Sequence, residues 1–305
     1  MKLIMESWKR FLSEQGGPTK PRMIFLVGPP AVGKSTWVEK NISGEFSILN
    51  RDDIVEKVAR ESGVGTYDDM YKRPPKEILP PGLPSPEDPQ KVEQYLASLQ
   101  AVADKFNKEH VAETKQFGPV APFEAQDYIK ALTPRTEGGW GVPINVFVPL
   151  YYPKIKSANE AIKDEFETAR STYATEKKNV VVDMLNMSRD ERDGHRMQMA
   201  SAITKIPMAN LTSEEASKII NDRFVQEAYV FANSLDGWSD EEKEEIKQIA
   251  TTRAQEIAAE PGRSKTIPPQ AYDRFFGQYS APDRTEGYTT VKLVGIPSLK
   301  RIRRR

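Results

Sequence analysis

The sequence contains no cysteine and only two histidines, His110 and His195, among its 305 residues. Disulfides and cysteine-ligated metal are thereby excluded, and a histidine-built metal site is not expected. No apolar run approaches the roughly 18 residues that a membrane-crossing helix requires, so no membrane partner is expected. The opening residues lack the apolar core and small-residue cleavage site of a signal peptide, which predicts an intracellular protein. Net charge is missing as well, with 44 basic residues against 44 acidic ones. No global field draws such a chain to nucleic acid, and any attraction of that kind must be local. The hydrophobic share of 38% is low for a compact globule and predicts much solvated loop or exposed helix.

What is present is a phosphate-binding signature. Met23-Ile24-Phe25-Leu26-Val27 reads as a buried strand, and Gly28-Pro29-Pro30-Ala31-Val32-Gly33-Lys34-Ser35 follows it directly. Those residues fit G-x-x-x-x-G-K-[ST], the P-loop that leads from a strand into a helix. Gly28 and Gly33 are expected to take backbone angles closed to other residues, so that consecutive N–H groups point inward around a polyphosphate. Lys34 then offers a cation to the β- and γ-phosphates, Ser35 a hydroxyl to Mg²⁺, and the helix from about Thr36 the positive end of its dipole. Residues Gly28 to Thr36 are therefore the candidate ATP contacts.

The rest of the chain supplies partners for that loop. A strand at Phe46-Ser47-Ile48-Leu49 ends in Asn50-Arg51-Asp52-Asp53, and ligands of open α/β sheets sit beyond such strand ends. Asp52 is expected to face the site while Asp53 caps a helix from Ile54 to Ser62; the bland alternative is a solvated cap only. Asn179-Val180-Val181-Val182 forms a second β-branched strand closing on Asp183, expected to approach Mg²⁺ and the acceptor. Ser188 and Glu191 read as a capping box for a helix from Arg189 to Thr204, and Thr212 or Ser213 as the cap of the next helix. A strand is expected at Ala228 to Ala232, a helix from Asp240 to Ala259, a short helix from Pro269 to Phe276 and a last strand at Thr289 to Val294. Arg253 on the long helix and Arg263 in the basic loop after it are candidates for neutralising a transferring phosphoryl group.

Between Gly63 and Pro153 the pattern changes. Proline is dense at first, then Val92 to Phe117 reads as one long helix with Leu96, Leu99, Val102, Ala103 and Phe106 on a single face. A second Pro/Gly-rich part runs from Thr133 to Pro149, and Lys154 to Lys177 is helical. The stretch is too long for a loop and reads as an insertion with its own partial core, or as a lid. Its aromatics Tyr128, Trp140, Tyr151 and Tyr152 suit core packing or base stacking. An amphipathic helix over Met1 to Gln15, with Leu3, Ile4, Trp8, Phe11 and Leu12, either packs on its own domain or docks on a protein partner. Lys300 to Arg305 is a basic tail suited to phosphates.

GPPAVGKSTW, NRDD after the second strand, VVVDMLNMSRDERDGHR on the third, an arginine-bearing lid ending in Ile-Pro, Tyr-x-Arg-Phe and a final Gly-Tyr-x-x-Val-x-Leu-Val together resemble the phage polynucleotide 5′-kinases and the related zeta-toxin-type P-loop kinases. The resemblance covers about Pro21 to Ser62 and Lys154 to Val294, in short islands. It implies an α/β P-loop kinase fold with a parallel sheet of about five strands and a largely helical insertion. The implied bounds are an N-terminal helix and hinge at 1–20, a kinase core at 21–62 and 154–296, the insertion at 63–153 and a basic tail at 297–305. The implied activity is Mg²⁺-dependent transfer of the γ-phosphoryl of ATP to the 5′-hydroxyl end of a nucleic acid, as in nucleic acid repair, in the host cytoplasm if the chain is phage-encoded. Lys34 and Ser35 match the phosphate and metal contacts, Asp52 the general base, Asp183 the third-strand carboxylate, and Arg263, with Arg253 as second choice, the lid arginine. Polynucleotide-specific members usually carry arginine three residues after the base, where this chain has Val55, and often threonine where it has Met184. A small-molecule kinase, or an ATP-dependent binding or assembly protein, therefore stays open.

Overall fold

The computed structural model describes residues 20–42, 45–79, 84–85, 87–127, 133–134, 140–141, 149–258 and 267–298. The expected helix over Met1 to Gln15, Arg263 with its loop, the Tyr128 and Trp140 side chains and the tail from Lys300 lie outside the described residues. Two compact units are found, one of Met1–Arg51, Phe166–Glu256 and Ile267–Arg305, the other of Asp52–Glu165 with Ile257–Thr266.

The first unit is an α/β fold built on β1 (Arg22–Val27), β2 (Phe46–Leu49), β3 (Asn179–Val182), β4 (Val225–Val230) and β5 (Thr290–Leu293). These five strands form one sheet in the order β2-β3-β1-β4-β5, with every pair parallel. A central parallel strand is buried on both faces, which is why β1 is an unbroken apolar run rather than an alternating one. Met23, Ile24, Phe25, Leu26 and Val27 are all fully buried, as are Val180, Val181 and Val182 beside them. The helices of this unit include α1 (Lys34–Asn41), which follows the loop after β1.

Strand β4 starts three residues earlier than expected, pairing with β1 from Val225 onward, and its first half carries the polar Gln226 and Glu227. Both are satisfied there. Gln226 accepts from Arg196 Nε at 3.0 Å and donates to Asn221 at 2.9 Å. Glu227 accepts from Arg22 at 2.8 and 2.9 Å and from the Tyr229 hydroxyl at 2.8 Å.

The second unit begins with α2 (Arg51–Glu61), continues through a 3-10 turn at Asp68–Tyr71, and holds α3 (Pro89–Glu109) and α4 (Val111–Phe117). One long helix was expected over Val92 to Phe117; the structure has two. The break is His110, whose φ of −113° and ψ of 54° leave the helical region, and whose ring stacks on Phe106 at 4.1 Å. Helix α3 starts as its sequence dictates, with Asp88 accepting from the Lys91 N–H and proline at the first helical position. Its Leu96, Leu99, Ala103 and Phe106 share a core with Val55, Val58 and Ala59 of α2 and with Ile155, Ala158 and Ile162 of α5 (Pro153–Thr175). Among the described residues no helix is long and apolar enough to cross a membrane.

The remaining helices lie in the first unit: α6 (Arg189–Thr204), α7 (Ser213–Arg223), α8 (Asp240–Ala258), which runs past the unit's bound at Glu256, and α9 (Pro269–Gly277). Helix α6 starts at the expected capping box of Ser188 and Glu191. In α7 the cap is Thr212, paired with Glu215.

Candidate functional site

The loop between β1 and α1 has the shape its sequence asks for, though its two glycines serve different needs. Gly33 takes φ of 101°, the left-handed region where glycine is favoured. Gly28 does not. A Cβ there would lie 3.0 Å from the Phe231 Cβ and 3.3 Å from Val32, so what this position needs is room rather than an unusual angle. The other left-handed residue of the loop is Ala31, with φ of 66°, and local backbone strain of this kind concentrates at ligand-binding loops. Helix α1 then begins without a side-chain cap and without an acidic residue in its first turn. Its leading N–H groups are thus not claimed by a carboxylate of their own turn, the arrangement that suits an anion. Lys34 lies over the loop, its Nζ donating to the carbonyls of Gly28 at 2.7 Å and Pro29 at 3.1 Å.

Asp183 comes directly after β3, and the pairing of Phe25 with Val182 sets the end of that strand beside the end of β1. The buried Asp183 carboxylate accepts from the Ser35 hydroxyl at 3.3 Å and from Asn50 Nδ2 at 3.4 Å. A hydroxyl and a carboxylate are hard oxygen donors, and Mg²⁺ at nucleotide sites is held by one or two such groups together with phosphate oxygens and water. The donor pair fits that ion. Among the described residues no group of three or more His, Asp or Glu side chains forms an all-protein metal cage.

The turn that follows Asp183 is held by a buried network. Asn186, at φ of 49°, donates to the carbonyls of Leu26 and Val182 at 3.0 Å each, and Gly28 N–H donates to Leu185 at 3.1 Å. Arg192 of α6 donates to the carbonyl of Asn186 at 3.0 Å and to Glu286 at 2.6 and 2.9 Å. Arg196, one turn on, reaches the same Glu286 at 3.4 Å and lies over the rings of Phe25 and Tyr288. Both arginines and the Glu286 side chain are fully buried. Burial works against the charge on Arg192, but its bonds to Glu286 and nearby charge outweigh that and hold its pKa above the ordinary value.

A cavity of about 290 Å³ adjoins the loop and α1, with Gly33, Trp37, Lys40, Arg253, Pro297 and Ser298 among its lining residues. Arg253 Nη1 donates to the Ala31 carbonyl at 3.4 Å, so α8 brings this guanidinium to the phosphate loop itself. Ser298 Oγ is buried and has no hydrogen-bond partner among the described residues. A buried unsatisfied hydroxyl in a cavity wall is a natural place for a polar ligand atom.

Asp52 opens the second unit. Helix α2 begins at Arg51 rather than Ile54, so Asp52 and Asp53 occupy its first turn and Asp53 is not the cap expected of it. Asp52 is half-buried and Asp53 exposed. The Tyr67 hydroxyl donates to Asp52 Oδ1 at 3.0 Å, and the Tyr71 hydroxyl donates to that of Tyr67 at 3.1 Å. Burial, followed by the Asp52 charge, pushes the Tyr67 phenol well above its ordinary pKa, which keeps it a donor. Val55, one turn after Asp52, is buried in the core of this unit.

Comparison with known proteins adds little to this geometry. No protein-family model and no curated protein matches the chain. A crystal structure of "a putative kinase" from Chloroflexus aurantiacus aligns with 92% of this chain and 87% of its own at a TM-score of 0.32 and 9% identity, a likeness too distant to bear on individual residues.

The loop residues and Asp183 were legible as candidates in the sequence. Ala31 strain, Asn186, Tyr67 and Ser298 were not. Asn186 and Tyr67 act through partners that the fold supplies, and only packing buries Ser298 in the cavity wall.

Proposed function

We propose that this chain is a Mg²⁺-dependent phosphotransferase that moves the γ-phosphoryl of ATP to a hydroxyl, with the 5′-hydroxyl end of a nucleic acid as acceptor. The observation that carries the proposal is the meeting of Ser35 with Asp183 beside an uncapped helix start and a lysine-bearing glycine loop. The N–H groups from Ala31 to Thr36 cradle the phosphates, and Lys34 exchanges its two loop carbonyls for phosphate oxygens. Ser35 and Asp183 would hold Mg²⁺, which would supply neutralisation of charge on the phosphate oxygens. Arg253 adds charge at the loop, and Arg263 is proposed as the lid arginine. The cavity beside Trp37 takes the purine, whose polar edge satisfies Ser298.

Asp52 serves as general base. As the acceptor oxygen forms its bond to the γ-phosphorus, its proton passes to the Asp52 carboxylate, the bond to the bridging oxygen breaks and ADP leaves with that electron pair. Tyr67 orients the carboxylate. The proposal is tested by incubating the protein with labelled ATP, Mg²⁺ and a 5′-hydroxyl oligonucleotide; label should appear on the 5′ end, and its absence over a broad range of conditions removes this acceptor.

A second reading is favoured by Val55. A buried valine offers no cation at this position to grip an acceptor's phosphate, so a small hydroxyl acceptor such as a nucleoside or nucleotide sugar fits as well. A panel of such acceptors separates the two.

A further inference from the structure

Arg73 in the second unit is the feature that the proposed reaction leaves unexplained. It is half-buried, and among the described residues no carboxylate pairs with it. Among the described residues its Nη1 donates to main-chain carbonyls, those of Met70 at 3.2 Å and Lys72 at 2.8 Å. Loss of water lowers its pKa from the ordinary value, with the neighbouring Tyr71 acting in the opposite direction. A guanidinium drawn out of water without a carboxylate is a costly arrangement unless an anion completes it.

The segment that presents Arg73 is braced by hydrogen bonds and by burial of one side chain. Gly65 takes φ of 130°, and Asp69 accepts from the Thr66 N–H at 2.8 Å and its hydroxyl at 2.9 Å. Met70 is buried in the core, which anchors the 3-10 turn from one side. On the turn stand Tyr67 and Tyr71, their ring centroids 5.2 Å apart, and Tyr71 is 52% exposed. Asp52, Tyr67, Tyr71 and Arg73 thus follow one another as carboxylate, two linked phenols and a guanidinium.

We propose that Tyr71 and Arg73 form the acceptor subsite, with the Tyr71 ring stacking on a nucleobase and Arg73 taking the phosphate on the 3′ side of the hydroxyl that Asp52 deprotonates. This rests on the reading of the chain as a kinase with Asp52 as base, and it names the nucleotide unit that such a kinase holds. Arg73 then supplies the cation that Val55 cannot. Stacking of a base on an exposed aromatic is sequence-tolerant, which suits an enzyme acting on strand ends. The guanidinium offers a planar fork to phosphate, a task for which lysine is a poor substitute.

The test is a titration of the full-length protein with thymidine 3′-monophosphate and with thymidine, followed calorimetrically, in wild type, Tyr71→Ala and Arg73→Gln. Wild type should bind the phosphorylated ligand at least about tenfold more tightly than thymidine. Arg73→Gln should bring the two within about twofold of each other, and Tyr71→Ala should weaken both about 5- to 100-fold. Affinity for ATP should not change in either variant. Equal affinity of wild type for the two ligands, or variants that bind as wild type does, overturns the subsite. Binding that follows this pattern without any phosphoryl transfer overturns the kinase reading and leaves the nucleotide subsite standing; transfer with unaltered binding in the variants does the reverse.

Discussion

The Ser35 hydroxyl and the Asp183 carboxylate meet at 3.3 Å although 148 positions separate them in the chain. One stands in the first turn of α1 and the other directly after β3, and the pairing of β1 with β3 brings them together. A hydroxyl and a carboxylate held this way are expected to share one Mg²⁺, and Asp183→Asn tests it. The amide keeps the shape and can still accept from Ser35, but it carries no charge for the ion. Turnover should fall about 100-fold or more, and the Mg²⁺ concentration for half-maximal rate should rise. An unaltered Mg²⁺ dependence removes Asp183 from the metal site.

Asp52→Asn separates a kinase from a nucleotide-dependent binding protein. The variant should retain ATP affinity and lose turnover by about 10²- to 10⁴-fold, the usual contribution of a general base. Tyr67→Phe removes only the hydroxyl that donates to Asp52. It should lower kcat by about tenfold or more while leaving the acceptor KM in place, because orientation rather than binding is lost. A rise in KM alone would contradict the positioning role.

Glu286 is the shared partner of two fully buried arginines. Glu286→Ala leaves both guanidinium groups without it, and breaking a buried ion pair from one side costs about 3–5 kcal/mol. Chemical denaturation should show that loss, with the loop around Asn186 becoming more open to hydrogen exchange. A change below about 1 kcal/mol would mean that water replaces the carboxylate easily.

His195 provides a pH signature. Burial, then the positive charges of Arg170 and Arg196, pushes its pKa down to about 3 from an ordinary 6.5, and its Nδ1 has no hydrogen-bond partner among the described residues. The folded value lies below the unfolded one, so between them the unfolded chain binds a proton that the folded chain refuses. This contribution to stability is fully present above about pH 6.5 and is lost as pH falls toward 3, with a slope of about 1.4 kcal/mol per pH unit. His195→Leu should remove that part of the slope in denaturation curves taken from pH 7 to 4. Identical slopes in variant and wild type would show that the imidazole charges freely in the fold.

Much of the architecture could be read from local pattern because its causes are local. The apolar run of β1 and the capping box at Ser188 each need only a few neighbouring residues to explain them. Reading failed where a partner lay far away. The strand expected at Ala228 to Ala232 starts at Val225, with Gln226 and Glu227 satisfied by the distant Arg196 and Arg22. His110 looked like an ordinary turn of one helix, yet its ring sits flat against Phe106 and divides that helix in two.

The amino-acid order by itself determined that a glycine-bounded loop with a lysine and a serine would stand between a strand and a helix, since all of these are contiguous. The tertiary structure alone decided why Gly28 must be glycine, because Phe231 arrives from another strand's end to fill the space a Cβ would need. It also decided that Asp183 would reach Ser35 and that Tyr67 would reach Asp52. Packing brings such pairs together, and no neighbour in the chain records where a distant side chain will lie.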